Sequence, residues 1–499
     1  MGAAGARDTG SVIILDSVIK DTDTAVLVPT PRSGDSLQQS LVLDNLKIVN
    51  VKTTVKTENG TTLLSGGKSP IISWGIGRKY ANKNGKGTYV DGGDITPSRI
   101  IDTSLLGGPN GGIFERSRPQ YESISVSGFT NVCSGGAKGD GTTDDTAAIN
   151  KVLAKSAGKS IVFFPAGTYI VTDTIFVPVG SKIVGEAWSQ IMASGSKFAK
   201  MEDPRVMVKV GNPGDVGVIE ISDLLFTVRG ATAGAVLMEW NVKQRTPGSA
   251  AMWDSHFRVG GSVGSDLQNS NCPKLTGVVN PECIAASMLL HLTKRSSAYL
   301  ENVWAWVADH DLDIPEQTQI DIYVARGILI QSQGPTWMYG TASEHCTLYQ
   351  YQLCGTRNLF MGMIQTETPY WQSTPRAPEP FTSAIGQFPD DPTFSDCPPG
   401  SLTCAMAWGL RIVSSSNIYT YGAGLYSFFN SYDQDCLDTE SCQDDMVEII
   451  KSSGLWFYNL ITKASTKSIS PQGGRAVPQS ENHFGFGSTI MAWLTLSGR

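Results

Sequence analysis

The chain has 499 residues, room for two or three domains of about 150 residues each or for one elongated architecture. Charged residues make up 17% and glycine occurs 53 times, against usual levels of about 25% charged and about 7% glycine, so helix-rich and disordered classes are excluded and turns and strands are expected. The formal net charge of -7 comes with no basic block, which argues against nucleic acid or an anionic membrane and for a neutral or weakly charged ligand.

Residues 1–8 lack the apolar stretch of a secretion signal, Ala6 breaks the myristoylation pattern, and no run of about 18 apolar residues suggests a spanning helix. Residues 12–15, 25–28, 41–43 and 46–49 are short β-branched runs between polar breaks, the pattern of strands of about four residues. A Gly- and Asn-rich stretch from Tyr80 to Gly112 then leads into an extended connector, so a boundary is placed between 1–112 and 113–499. From Gly135 to Thr146 a Gly- and Asp-rich run precedes Ala147, Ala148, Ile149, Val152 and Leu153 at helical spacing. It predicts a short helix capped by Thr143 or Asp144. The run matches neither an EF-hand nor a P-loop, so its role is read as structural. Residues 160–169 read as a strand, a Pro-Gly turn and a second strand.

Beyond residue 170 short strands alternate with Gly, Asn, Ser and Thr turns, and almost no amphipathic helix is available to cover a sheet. A sandwich, a propeller or a parallel β-helix fits, the last best, because residues 327–330, 347–349, 359–364 and 409–413 suggest coils of about 23 residues stacking on one another. Nine cysteines include the close pairs Cys272/Cys283, Cys346/Cys354, Cys397/Cys404 and Cys436/Cys442, with Cys133 left over. Such short loops suit disulfides. They point to an oxidising compartment, with which the sequon at Asn59 agrees, and a secreted-type pattern without a signal suggests that the true N-terminus is missing. No CxxC or His-rich spacing suggests a metal.

Residues 136–169, opening Gly-Ala-Lys-Gly-Asp-Gly-Thr-Thr-Asp-Asp-Thr and closing Phe-Phe-Pro-Ala-Gly-Thr-Tyr, resemble the start of pectate-lyase-like β-helix domains. Residues 304–313, Glu344-His345, residues 349–351, residues 365–372 (Gln-Thr-Glu-Thr-Pro-Tyr-Trp-Gln) and residues 422–430 together resemble the fungal exo-β-1,3-glucanases of glycoside hydrolase family 55. That resemblance implies an all-β fold of two right-handed parallel β-helices with the substrate pocket between them. Residues 1–112 then correspond to the last coils of a first helix plus a linker, and 113–499 to the second helix. It also implies a secreted protein without cofactor or metal.

Glycoside hydrolysis needs a protonated acid at the leaving oxygen and a second carboxyl group. Glu344 and Glu367 are 23 residues apart, about one coil, so they are expected at similar angles on adjacent rungs about 4.8 Å apart. Carboxyl groups placed so are roughly 5 to 10 Å apart, a span that covers both retaining and inverting geometries. The resemblance implies inversion, with Glu367 matching the general acid and Glu344 matching the group that positions or deprotonates water, helped by first-helix side chains. A proton on Glu367 near neutral pH would need Tyr370, Trp371 or Glu344 nearby. Tyr370 and Trp306 are candidate stacking surfaces for glucose. Gln365 and Gln372 are candidate partners for sugar hydroxyls, and Tyr432 and Asp433 candidate rim residues. His310 with Asp309, Asp311 and Asp313 alternates across strand faces, which suits structural hydrogen bonds better than a metal. The Pro-rich insertion at 373–404 is a candidate wall for an exo pocket. The reading is an exo-acting, inverting β-1,3-glucanase releasing glucose from the non-reducing end of laminarin or fungal-wall glucan, acting as a monomer. The alternatives are a non-catalytic glucan-binding β-helix and a polysaccharide lyase on the same fold.

Overall fold

The computed structural model describes residues 10–30, 39–67 and 69–495, so the chain start examined above lies outside the described residues. Strands dominate, and among the described residues Thr146–Ser156 is the one α-helix. Asp144 serves its first turn, its Oδ1 accepting from the Thr146 amide at 3.0 Å, while Asp145 accepts from the amides of Lys138 and Gly139 at 2.7 and 2.9 Å. The helix buries Ile149, Val152 and Leu153 against the first coils. The Gly- and Asp-rich run is therefore a brace.

From Phe129 onward each coil contributes a strand segment to each of three parallel columns. The first column runs through Ile161–Phe163, Ala250–Trp253, Tyr299–Glu301 and Thr336–Tyr339 into the N-terminal halves of Arg357–Glu367, Ser416–Tyr426 and Ser453–Lys463. The second runs through Gly167–Val171, His256–Val259, Trp304–Val307 and Ala342–Glu344 into the C-terminal halves of the same long strands. The third holds Ala235–Trp240, Ile284–Leu292, Tyr323–Ile330, Tyr349–Cys354, Trp408–Val413 and Gln443–Ile450. This is the right-handed parallel β-helix expected from the sequence. Inward side chains such as Ile328, Leu353, Leu359, Leu425 and Leu455 form one continuous apolar column, and its burial is the main stabilising term of a stacked fold.

The spacing of about 23 residues holds between Glu344 and Glu367 but not along the whole stack. Trp306 faces Glu344 and Glu367 faces Tyr426 across single rungs although their sequence separations are longer. The difference lies in loops between columns, which can lengthen without disturbing the ladder.

Residues 11–94 form a smaller β body. Ser11–Leu15 and Val18–Val28 pair in parallel with successive halves of Ser40–Thr57, and Ile71–Tyr80 adds antiparallel. The two short strands expected at 41–43 and 46–49 are thus one strand of 18 residues. Asn45, at φ 54, bends the chain there without ending it, a conformation asparagine tolerates well.

The outward face of the first column is a ladder of aromatic rings. Tyr299, Trp337, Phe360, Tyr419 and Trp456 follow one another in register. The segment from Ile95 to Phe114 packs onto them. Trp337 Nε1 donates to the Leu105 carbonyl at 3.1 Å, the Tyr339 hydroxyl to the Phe114 carbonyl at 2.9 Å and the Tyr419 hydroxyl to the Ile100 carbonyl at 2.9 Å. This docking covers the first column and leaves the outward face of the second column beside the N-terminal body.

Three of the four expected disulfides form, Cys272–Cys283, Cys397–Cys404 and Cys436–Cys442. Cys346 and Cys354 are free. The extended strand Tyr349–Cys354 lies between them, and at about 3.3 Å per residue it separates them far beyond the ~4.4–6.8 Å Cα spacing a disulfide needs. The insertion at 373–404 has its middle anchored on the third column. Arg326 Nε donates to Asp391 Oδ1 at 2.7 Å, Arg326 NH2 to the Ala384 carbonyl at 2.8 Å and Gln352 Nε2 to the Pro389 carbonyl at 2.9 Å. Arg326 and Gln352 belong to the third column, so the middle of the insertion covers that face, while its ends meet the segment at 430–431: Thr374 Oγ1 lies 2.7 Å from Ser431 Oγ, and Asn430 Nδ2 donates to the Leu402 carbonyl at 2.8 Å.

Candidate active site

Glu344 ends the strand Ala342–Glu344, Glu367 ends Arg357–Glu367, and the two face each other in register on adjacent rungs of the second column. Trp306 precedes them and Tyr426 follows at the same register position. The period of two along a strand sends the intervening Ala305, Ser343, Thr366 and Leu425 inward, where all are buried. Two carboxyl side chains therefore project outward one rung apart, about 4.8 Å along the stack.

Directly after Glu344 the backbone enters the left-handed region at His345, φ 65. That turn folds the imidazole back under both carboxyls. His345 Nδ1 donates to the Val307 carbonyl at 2.9 Å, Nε2 lies 3.4 Å from Glu367 Oε2, and Asp309 Oδ1 is 3.7 Å from Nδ1. Burial by itself would hold the imidazole pKa down, but Glu367, Asp309 and Glu344 outweigh it and push the value up to about 9. His345 is accordingly an imidazolium at neutral pH. With both ring nitrogens protonated it donates to Val307 and toward Glu367 at once.

The two glutamates sit in different surroundings. Glu344 is 6% exposed, and Trp304 Nε1 donates to its Oε2 at 3.1 Å. Burial is the main cause that pushes its pKa up to about 7, with His345 opposing and the charge of Glu367 adding. Glu367 has 17% of its side chain exposed. Its Oε2 accepts from the Tyr370 hydroxyl at 3.0 Å, and its Oε1 lies 3.5 Å from Gln365 Nε2. Tyr370 is gripped between Phe429, at 4.0 Å between ring centroids, and His345 at 4.9 Å.

The other sequence-selected residues divide. Gln365 is exposed beside Glu367. Gln372 is fully buried; its Nε2 donates to the Thr347 carbonyl and its Oε1 accepts from the Ala407 amide, at 2.9 and 2.8 Å. It braces the backbone behind the site and presents no atom to a sugar. Trp306 is 5% exposed and lies under Trp304, which is 36% exposed and stacks on it at 5.1 Å. The two indoles share a face, as residues two apart on a strand must, and Trp304 is the one that solvent reaches. Trp371 points away from Glu367 and packs on Tyr323 at 4.9 Å. Asp311 is buried and accepts from Gln268 Nε2 and the Asn269 amide at 3.1 and 2.9 Å. Among the described residues no cluster of His, Cys, Asp or Glu has the arrangement of a metal site. Tyr432 bonds Asp321 through its hydroxyl, and Lys274 lies 3.9 Å over its ring. Segments around 274, 309–321 and 428–433 are thereby tied into a wall next to Tyr370, where His310 meets the Tyr370 ring at 6.2 Å.

Residues 129–249 match a protein family described as rhamnogalacturonase A/epimerase, pectate lyase-like. The chain is 50% identical over 397 residues, 79% of its length, to a "Probable glucan endo-1,3-beta-glucosidase" of Arthroderma benhamiae, of which it covers 44%. It is 41% identical over 441 residues, 87% of its length, to a "Glucan 1,3-beta-glucosidase" of Cochliobolus carbonum, of which it covers 54%. The resemblance to glucan 1,3-β-glucosidases drawn from the sequence is borne out by these relatives. A protein of Penicillium expansum named "Non-secreted LysM effector LysM15" is 48% identical over 501 residues, 99% of this chain but 34% of that protein. The chain thus spans about half or less of the length of these relatives.

Proposed function

We propose that this chain is a glycoside hydrolase of family 55 that hydrolyses β-1,3-glucan, acting from the non-reducing end with inversion, as a secreted monomer without cofactor. Residues 1–112 are read as coils of a first helix plus linker that flank the site, and 113–499 as the helix that carries the acid. The observation that carries the reading is the in-register pair Glu344 and Glu367 facing outward beside an exposed indole and a half-buried tyrosine. Glu367 gives its proton to the glycosidic oxygen as the bond to the anomeric carbon breaks, and the imidazolium of His345 and the Tyr370 hydroxyl stabilise the carboxylate left behind. Glu344, ionised, takes a proton from the water that attacks the opposite face. Trp304, backed by Trp306, and Tyr370 supply flat apolar surfaces for the sugar, and Gln365 a rim donor. The wall tied by Tyr432 and Asp321 supports a blind end, which an exo enzyme requires.

A second reading exchanges the two carboxyls. It is favoured by the proton that Glu344 holds up to about 7, as a general acid must. The two assignments predict opposite pH behaviour: kcat rises through about pH 7 if Glu344 acts ionised and falls there if it acts protonated. Laminarin digestion followed by NMR and product chromatography tests the reaction itself. Glucose alone, released first as the α-anomer, is expected. Internal oligosaccharides from the outset would replace exo with endo action, and initial β-glucose would overturn inversion.

A further inference from the structure

Past Glu367 the outward column continues with Tyr426, its register partner on the next rung. Two more rings gather there. Tyr426 and Phe428 have centroids 5.5 Å apart, Tyr426 and Phe486 5.9 Å, and Phe428 and Phe486 6.2 Å. The Tyr426 ring lies flat along its strand because the neighbouring position is glycine: a Cβ on Gly424 would stand 2.2 Å from the Tyr426 hydroxyl. Phe486 sits in the turn between His483–Phe484 and Gly487–Thr495 and is 54% exposed. It is held from behind by Lys463, whose ammonium lies 5.2 Å from the ring centroid and pairs with Glu440. On the other side of Tyr426 is a groove of ≈ 250 Å³ lined by Gln365, Gly424 and Tyr426 and, from the N-terminal body, Ser11 and Ile13.

None of these three rings belongs to the buried apolar column, so folding does not account for their gathering. One ring, Phe486, is exposed and the other two are half-buried, and aromatic rings left open to solvent together beside a carboxyl pair mark a binding surface. Their position selects the occupant, because they continue the row in which Glu344 and Glu367 stand, so a polymer laid across the carboxyl pair along the stack passes over them. A β-glucosyl ring carries its hydroxyls at the edge and C–H groups on its faces, which suits it to an aromatic face.

We propose that Tyr426, Phe428 and Phe486 form a stacking platform for the glucosyl residues of a β-1,3-glucan beyond the bond addressed by the carboxyl pair, so that the protein prefers long chains to short ones. The platform rests on the glucanase reading. It adds a determinant of chain length that lies outside the catalytic pair.

The test uses the full chain carrying Glu367→Gln, so that bound sugars are not consumed, and calorimetric binding of laminaribiose and laminarihexaose. Adding Phe486→Ala, at an exposed turn position, is expected to weaken the hexasaccharide by about 3- to 10-fold and the disaccharide by less than about twofold, with Phe486→Tyr restoring the difference. Equal affinities for both sugars with and without Phe486→Ala would overturn the platform and leave the glucanase reading standing. Binding of neither sugar by the Glu367→Gln chain would overturn that reading and the platform with it.

Discussion

Glu344 and His345 are neighbours in sequence with opposite shifts of charge, one a carboxyl whose ionisation burial delays to about pH 7 and the other a cation kept charged by carboxylates. Their ionisation makes stability depend on pH in a definite sense. In the unfolded chain Glu344 ionises near 4.5, in the fold only near 7, so its contribution is fully present below 4.5 and is lost as pH rises through about 7. For His345 the same sign applies, with the contribution present below 6.5 and lost as pH rises through about 9. The urea midpoint of the wild type is therefore expected to fall relative to that of Glu344→Gln as pH climbs from 4.5 through about 7, because the variant mimics the protonated carboxyl and has no proton to lose there. A wild-type midpoint that rises relative to the variant over the same interval would contradict the burial of a protonated Glu344.

At this scale the sequence was legible where spacing alone sets geometry. Glu344 and Glu367 meet because one short coil separates them. His345 was visible only as part of a motif, since its role depends on a left-handed turn that no periodicity announces. Gln372 is a sugar partner by residue type, able to bond hydroxyls, but the chain turns inward at Trp371 and takes the amide with it. Trp304 and Trp306 were legible as a pair. Which indole faces solvent depends on what stacks above, and only the fold reveals that.

Among the elements, the aromatic ladder on the first column joins the N-terminal body to the β-helix. Trp337 is fully buried at its centre, touches Phe114 at 5.1 Å and bonds the Leu105 carbonyl. Truncation to alanine removes that contact and leaves a cavity, so Trp337→Ala is expected to destabilise the chain by about 3–5 kcal/mol. Chemical denaturation monitored by circular dichroism measures this; a loss under about 1 kcal/mol would show that the linker docks without depending on the ladder. The strands themselves were legible from their β-branched runs, and the capped helix from its Gly- and Asp-rich lead. Strand lengths were not, because pairing with neighbours on both sides extends a strand past its local polar break, as at Asn45. The Cys346/Cys354 pairing failed for a related reason: closeness in sequence becomes distance when the intervening residues are extended.

Taken whole, the molecule is a stack whose first outward face is covered by the N-terminal body, whose third carries the insertion at 373–404, and whose second bears the carboxyl pair. Fold class followed from composition and turn density, since little else buries short strands without amphipathic helices. Which face stays open follows from what docks on the other two, and the insertion went to the third column because Arg326 and Gln352 offer buried donors there. The central claim is that Glu344 and Glu367 together cleave β-1,3-glucan, and the direct measurement is the rate of glucose release from laminarin by the wild type and by Glu367→Gln, with circular dichroism confirming equal folding. A loss of about 10²-fold or more in the variant is the expected result. A variant that releases glucose as fast as the wild type would contradict it.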